Sequence, residues 1–197
     1  MNRLAFFEDC SALQFTPIAL MRPVFELLCG QFSARERMLK SLPVEEWGVL
    51  IRPALTEVYS EEFPEARIND AIWLSEAPTL LINGRWLPAI HEIPRLANVT
   101  AESVGMMGDT VAYLLLEPEE ATLLTTDAWD DAIQKIASTR KQVAVDGTEL
   151  HYPWDLVNQN RQQLVDDFSL SKSLRPSTVN NETLTIVGPA DLVSVDS

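Results

Sequence analysis

Residues 4–9 read LAFFED, an apolar run closed by two carboxylates, and this stretch with the loop and helix after it decides the fold. An unbroken run of this length and aromatic content is the pattern of a short buried strand. A loop carrying Arg22-Pro23 and Gly30 comes next. Ser33-Ala34-Arg35-Glu36 then opens a helix bearing Arg35, Arg37 and Lys40. Ser33 and Glu36 make a capping box, which predicts a helix start near residue 34. Strand, loop and cation-bearing helix N-terminus together form an apparatus for holding a phosphate. First-turn N–H groups and the helix dipole favour an anion, and arginine offers a planar fork of donors.

Charge sharpens the point. The chain holds 15 Lys+Arg against 29 Asp+Glu, a net of −14, yet residues 1–40 hold five cations against four anions. The scarce positive charge therefore gathers where a phosphate would need it. The competing reading is that these side chains pair locally on solvated helix faces.

With 197 residues, 46% of them hydrophobic, the chain is long enough for one sizeable domain, or one domain with a tail. The acidic balance argues against duplex nucleic acid and anionic membrane surfaces as partners. It does not exclude a nucleotide, for which a divalent cation and two or three arginines suffice. Cys10 and Cys29 have no framework around them and read as free thiols in a reducing compartment. The N-terminus lacks the apolar run of a signal peptide and nothing approaches a membrane span, so a cytoplasmic location is expected.

Further along, residues 49–51 and Thr79–Asn83 (TLLIN) read as buried strands, and residues 53–63 as an amphipathic helix between them. Such alternation predicts βαβ units and an α/β fold: a Rossmann-like, mainly parallel sheet flanked by helices. Residues 104–107 and 111–117 flank Gly108-Asp109 and predict one antiparallel hairpin. Residues 128–138 and 155–166 read as helices, the second with Asp155 as N-cap. Residues 169–181 are polar and serine-rich, as in a linker. Residues 186–197 divide into the hexads IVGPAD and LVSVDS, the period of a left-handed parallel β-helix, although two repeats fit an ordinary strand pair equally well.

Five ordered blocks, FEDCSALQFTPIALMRPVFELLCG, GVLIRPALTEVYSEEFP, INDAIWL, LLINGRWLP and HYPWDLVNQNRQQLVDDF, carry a resemblance. Together they resemble the N-terminal domain of the GlmU-like family of sugar nucleotidyltransferases. The resemblance implies a nucleotide-diphospho-sugar transferase fold over residues 1–168, a linker over 169–185, and a truncated left-handed β-helix beginning at 186–197. It implies a nucleoside triphosphate and a sugar-1-phosphate as partners, magnesium as cofactor, and a homo-oligomer assembled through the downstream β-helix. The reaction implied is attack of a sugar-1-phosphate oxygen on the α-phosphorus of the triphosphate, expelling pyrophosphate. The alternative is a non-catalytic sugar-nucleotide-binding or assembly module on the same fold.

Two departures from the pattern of well-characterised sugar nucleotidyltransferases stand out. The glycine-rich Gly-x-Gly-Thr-Arg loop is missing, and the strand that should end in a metal-binding aspartate ends Ile82-Asn83-Gly84-Arg85. On these grounds the expected catalytic cations are Arg22 and Lys40. Arg22, Gly30, Arg37, Asn69, Asn83, Gly84 and Asn158 are the expected nucleotide and sugar contacts, and Asp70 is the remaining acidic candidate for the metal. Each has a plainer reading: Arg22 as a brace against Glu8 or Asp9, Asp70 as a helix cap, Asn83-Gly84 as a turn, Asn158 as surface. His91 and His151 lack ligand spacing.

Overall fold

The protein was analysed as a computed structural model, which describes residues 2–124 and 129–174. Strands β1 (Arg3–Phe7), β2 (Glu46–Leu50), β3 (Arg67–Ile68) and β4 (Thr79–Asn83) are mutually parallel. They alternate with helices α1 (Ala34–Ser41), α2 (Thr56–Glu62) and α3 (Ala71–Glu76). After β4 come β5 (Trp86–Pro88), α4 (Ile93–Leu96), and the hairpin β6 (Ser103–Met107) and β7 (Thr110–Leu116). The chain continues through α5 (Trp129–Ser138), β8 (Lys141–Ala144), β9 (Gly147–Glu149) and α6 (Pro153–Leu174).

The main sheet has the order β3-β2-β1-β4-β7-β6-β8, while β5 and β9 pair antiparallel in a small second sheet. The mainly parallel sheet and its antiparallel hairpin stand as the sequence predicts. β1 lies between β2 and β4, which is why LAFF is apolar without alternation: Leu4 and Phe6 face one layer, Ala5 and Phe7 the other. The first layer holds Phe15, Phe25, Met38 of α1, Tyr59 of α2 and Leu156 of α6. The second holds Trp73 and Leu74 of α3 with Trp129, Ile133 and Ile136 of α5.

Local signals translate directly. Ser33 Oγ accepts from Glu36 N–H at 3.2 Å, and Glu36 Oε2 accepts from Ser33 N–H at 2.9 Å. This reciprocal cap contributes about 1 kcal/mol and sets the start of α1 at Ala34. Asp155, expected as an N-cap, lies inside the first turn of α6. From there its Oδ2 accepts from the N–H groups of His151 and Tyr152. The helix runs on to Leu174 and so includes the first six residues of the stretch read as a linker. The rest of that stretch and both hexads lie outside the described residues. Among the described residues no helix is long and apolar enough to cross a membrane.

The order 3-2-1-4 means that the chain winds one way from β1 through β2 to β3, then returns past β1 to β4. The sheet's winding therefore reverses between β1 and β4. In open α/β sheets the crevice outside the carboxyl ends of the strands at such a reversal is where ligands bind.

Candidate functional site

At that edge the 26-residue connection from Glu8 to Ser33 folds back over the strand ends. Glu8 anchors it: Oε1 accepts from Val24 N–H at 3.1 Å, and Oε2 takes Arg52 Nε at 3.0 Å. Burial raises the Glu8 pKa, although Arg52 and the Val24 N–H pull against it. The Glu8 carbonyl accepts from the indole N–H of Trp129 at 2.7 Å, which fixes α5 beside β1. Between these elements opens a pocket of about 240 Å³ walled by Glu8, Asp9, Cys10, Arg52, Trp129 and Asp130. A larger opening of about 310 Å³ lies between the small sheet and α6, lined in part by three glutamines and off the main strand ends.

Behind the pocket lies a dense polar arrangement. Asp9 receives Arg85 through two bonds, Nε to Oδ1 at 2.7 Å and Nη2 to Oδ2 at 2.6 Å. Asn83, last residue of β4, donates Nδ2 to Asp9 Oδ2 at 2.9 Å and to the Val111 carbonyl at 3.1 Å. Its Oδ1 accepts from Arg85 N–H at 2.9 Å. Burial opposes the charge on Arg85, but hydrogen bonds to Asp9 and the fields of Asp9 and Glu149 outweigh it and raise its pKa.

Of the residues singled out from sequence, the fold brings two to this edge. Asn83 lies in its floor. Arg22 is exposed at the rim, where its carbonyl accepts from Arg52 Nη2 at 3.4 Å. Gly84 comes after Asn83 but meets no ligand space: it donates to the Phe7 carbonyl at 2.8 Å, and a Cβ there would press on Phe25.

Most of the others serve the scaffold. Gly30 has φ +89°, donates to Asn160 Oδ1 at 2.8 Å, and leaves no room for a Cβ against Asp167 and Gln163. Its lack of a side chain admits α6 rather than a phosphate. Arg37 is buried and donates Nε to Asp167 Oδ1 at 2.6 Å and Nη2 to the Cys29 carbonyl at 2.6 Å. Lys40 is exposed with Nζ 5.1 Å from the centre of the Phe32 ring, away from the crevice. Asn69, at φ 50°, clamps β2 by accepting from Ile51 N–H and donating to Ile51 C=O, both at 2.9 Å. Asp70 caps α3 through Trp73 N–H at 2.9 Å and follows β3, two strands from β1; it does not line the pocket. Asn158 is exposed on α6.

The gathering of cations in residues 1–40 thus answers to ion pairing, though not to local pairing on solvated faces: Arg35 and Arg37 are buried, and the partner of Arg37 lies on α6. Arg3 pairs with Glu46 and Glu76, Arg35 with Glu26, and Arg37 with Asp167. The Arg22 side chain makes no hydrogen bond or ion pair among the described residues, which leaves its charge available at the rim.

The sequence profile of the sugar nucleotidyl transferase family matches residues 4–175, nearly the whole of the described structure. The chain belongs to the sugar nucleotidyl transferase family. No curated protein matches it. Among solved structures, a protein assigned as a glucose-1-phosphate thymidylyltransferase from Bacillus anthracis, determined in complex with sucrose, superposes with a TM-score of 0.55. Identity is 11%, over 83% of this chain and 95% of that one, and the likeness is one of fold.

Family chemistry implies a divalent metal, and the donor set here does not suit one. Both oxygens of Asp9 are taken by Arg85, and Asn83 turns its NH₂ end, not its oxygen, toward Asp9. At the other end of the small sheet His91 Nε2 lies 3.1 Å from Asp146 Oδ2 and 3.5 Å from Glu92 Oε1. There Arg95 already neutralises Glu92 at 2.6 Å, and the group is a surface ion-pair cluster.

Sequence reading missed Arg52, Arg85, Glu149 and Asp130, which come from four separate segments. The signal that could have found them was Glu8-Asp9: two carboxylates directly after a buried strand require partners. Cys10, on the pocket wall, is held toward its thiol form chiefly by a hydrogen bond to Asp130 and then by burial. Cys29, 1% exposed, is pushed by burial to a pKa of about 11. Iodoacetamide at about pH 8 is therefore expected to label native protein at Cys10, slowly, and Cys29 only after unfolding. Mass mapping of the adducts decides this; equal labelling of both thiols in native protein would contradict it.

Proposed function

We propose that the crevice at the carboxyl ends of β1, β2 and β4 binds a nucleotide and a sugar phosphate, and that the reaction is nucleotidyl transfer. The observation that carries this reading is the match to the sugar nucleotidyl transferase family over the very elements that build the winding reversal. A sugar-1-phosphate oxygen attacks the α-phosphorus of a nucleoside triphosphate and pyrophosphate leaves. Such a displacement needs alignment and charge neutralisation rather than a protein nucleophile. Arg22 at the rim and Arg52 in the wall are the cations placed to meet phosphate oxygens; Arg52 Nη1 makes no bond among the described residues.

The test is pyrophosphate release and calorimetric binding with UTP, dTTP, ATP, GTP and CTP, each with hexose-1-phosphates. At least one nucleotide is expected to bind at about 1 mM or tighter; silence with all five would remove the proposal. Because Arg22 is exposed and makes no side-chain bond among the described residues, Arg22→Ala is expected to weaken nucleotide binding about tenfold, as for loss of one charge-assisted bond, with little change in stability. Unchanged affinity in that variant would count against its phosphate role. A second reading, a module that binds sugar nucleotide without turnover, draws on the Asn83–Asp9–Arg85 lock. Binding without pyrophosphate release would select it.

A further inference from the structure

Four side chains meet at the winding reversal: Asp9 just past β1, Asn83 closing β4, Arg85 after it, and Glu149 closing β9. The Arg85 guanidinium is at their centre and 3% exposed. Nη2 reaches Asp9 Oδ2 at 2.6 Å and Glu149 Oε1 at 3.1 Å, while Nη1 donates to the Leu150 carbonyl at 2.7 Å. Glu149 Oε1 also accepts from Thr110 Oγ1 at 2.8 Å. Asp9 Oδ1 accepts from Ser11 N–H at 3.1 Å in addition to Arg85.

A magnesium ion asks for a near-octahedral set of oxygens, with one or two carboxylates free to turn their lone pairs to it. Here both Asp9 oxygens and Glu149 Oε1 already receive hydrogens, and the amide of Asn83 presents N–H where a cation needs oxygen. Glu149 Oε2, 3.7 Å from His151 Nε2, is one oxygen and does not make a site. The positive charge is already there, attached to the chain. A guanidinium between two carboxylates does electrostatically what a bound cation would do: it holds them together and offsets their repulsion.

We infer that the Arg85 guanidinium acts as a built-in cation between Asp9 and Glu149, so that this cluster does not bind a divalent ion through its own side chains. This rests on the reading of the crevice as the transfer site, but it is tested without any nucleotide. Manganese is titrated to about 1 mM into the ¹⁵N-labelled full chain, and the ion is located from the distance dependence of paramagnetic broadening over all backbone amides, which separates this cluster from the exposed His91–Asp146 group. No site centred on residues 83–85 and 149–150 is expected; one centred there in the unaltered protein would overturn the inference. In the double variant Asn83→Asp with Arg85→Met, three carboxylates face one another without compensation. Saturable broadening at the same amides is then expected, with apparent affinity at least about tenfold above the unaltered protein. A folded double variant that still takes up no manganese there would also overturn it. If that variant fails to fold, the measurement on the unaltered chain decides alone.

Discussion

Asp167→Ala is expected to lower the stability of the fold by about 3–5 kcal/mol, read as the shift in a urea unfolding curve monitored by tryptophan fluorescence. Asp167 is 0% exposed and sits on the inner face of α6, where it holds the buried Arg37 by two bonds of 2.6 and 3.0 Å. It also accepts from Gln31 N–H at 2.8 Å, so one carboxylate ties α6 to both α1 and the loop before it. Alanine would strand the guanidinium in an apolar setting where its Nη1 already lacks a hydrogen-bond partner among the described residues. Most of the loss comes from that uncompensated charge rather than from the net worth of the pair. The joint replacement Arg37→Met with Asp167→Leu is therefore expected to recover a large part of it. If Asp167→Ala unfolds at the same urea concentration as the parent, α6 is not held by this pair.

Arg85→Met is expected to cost a similar amount, about 3–5 kcal/mol, and to loosen the crevice floor. The residue joins three parts of the chain: its side chain holds Asp9, and its main and side chains both bond Leu150, at 2.8 and 2.7 Å. Removing the guanidinium leaves Asp9, itself 9% exposed, with Asn83 and Ser11 N–H but no counter-charge. Asp9→Asn added to Arg85→Met should restore part of the loss, because the remaining amides can satisfy one another without charge. Additive losses in the two variants would show that Asp9 and Arg85 are not coupled, and would remove the basis for treating the guanidinium as a built-in cation.

Both residues show where sequence reading stops. The strand TLLIN, the hairpin around Gly108-Asp109 and the capping box at Ser33 depend on neighbours a few positions apart, and each is found where its pattern predicts. The short strands β3, β8 and β9 have no such pattern: β8 is exposed throughout, and its place is set by pairing with β6. The phosphate-binding assignment of Gly30 and Arg37 failed for a related reason. Glycine at positive φ and arginine on a helix are equally suited to receiving a phosphate or a packed helix. What occupies the space, α6, lies 130 residues downstream.

Residues near in sequence carried enough information to establish the alternation of strands and helices and a mainly parallel core, while the strand order that makes the crevice was decided by the fold. The former features come from apolar periodicity and backbone capping, which act over a turn of helix or a few residues of strand. Which cation meets which carboxylate was decided only by the folded chain. Asp9 chose Arg85 across 76 residues and Glu8 chose Arg52 across 44, because folding removed water from those carboxylates and left each with the nearest donor the sheet had brought alongside.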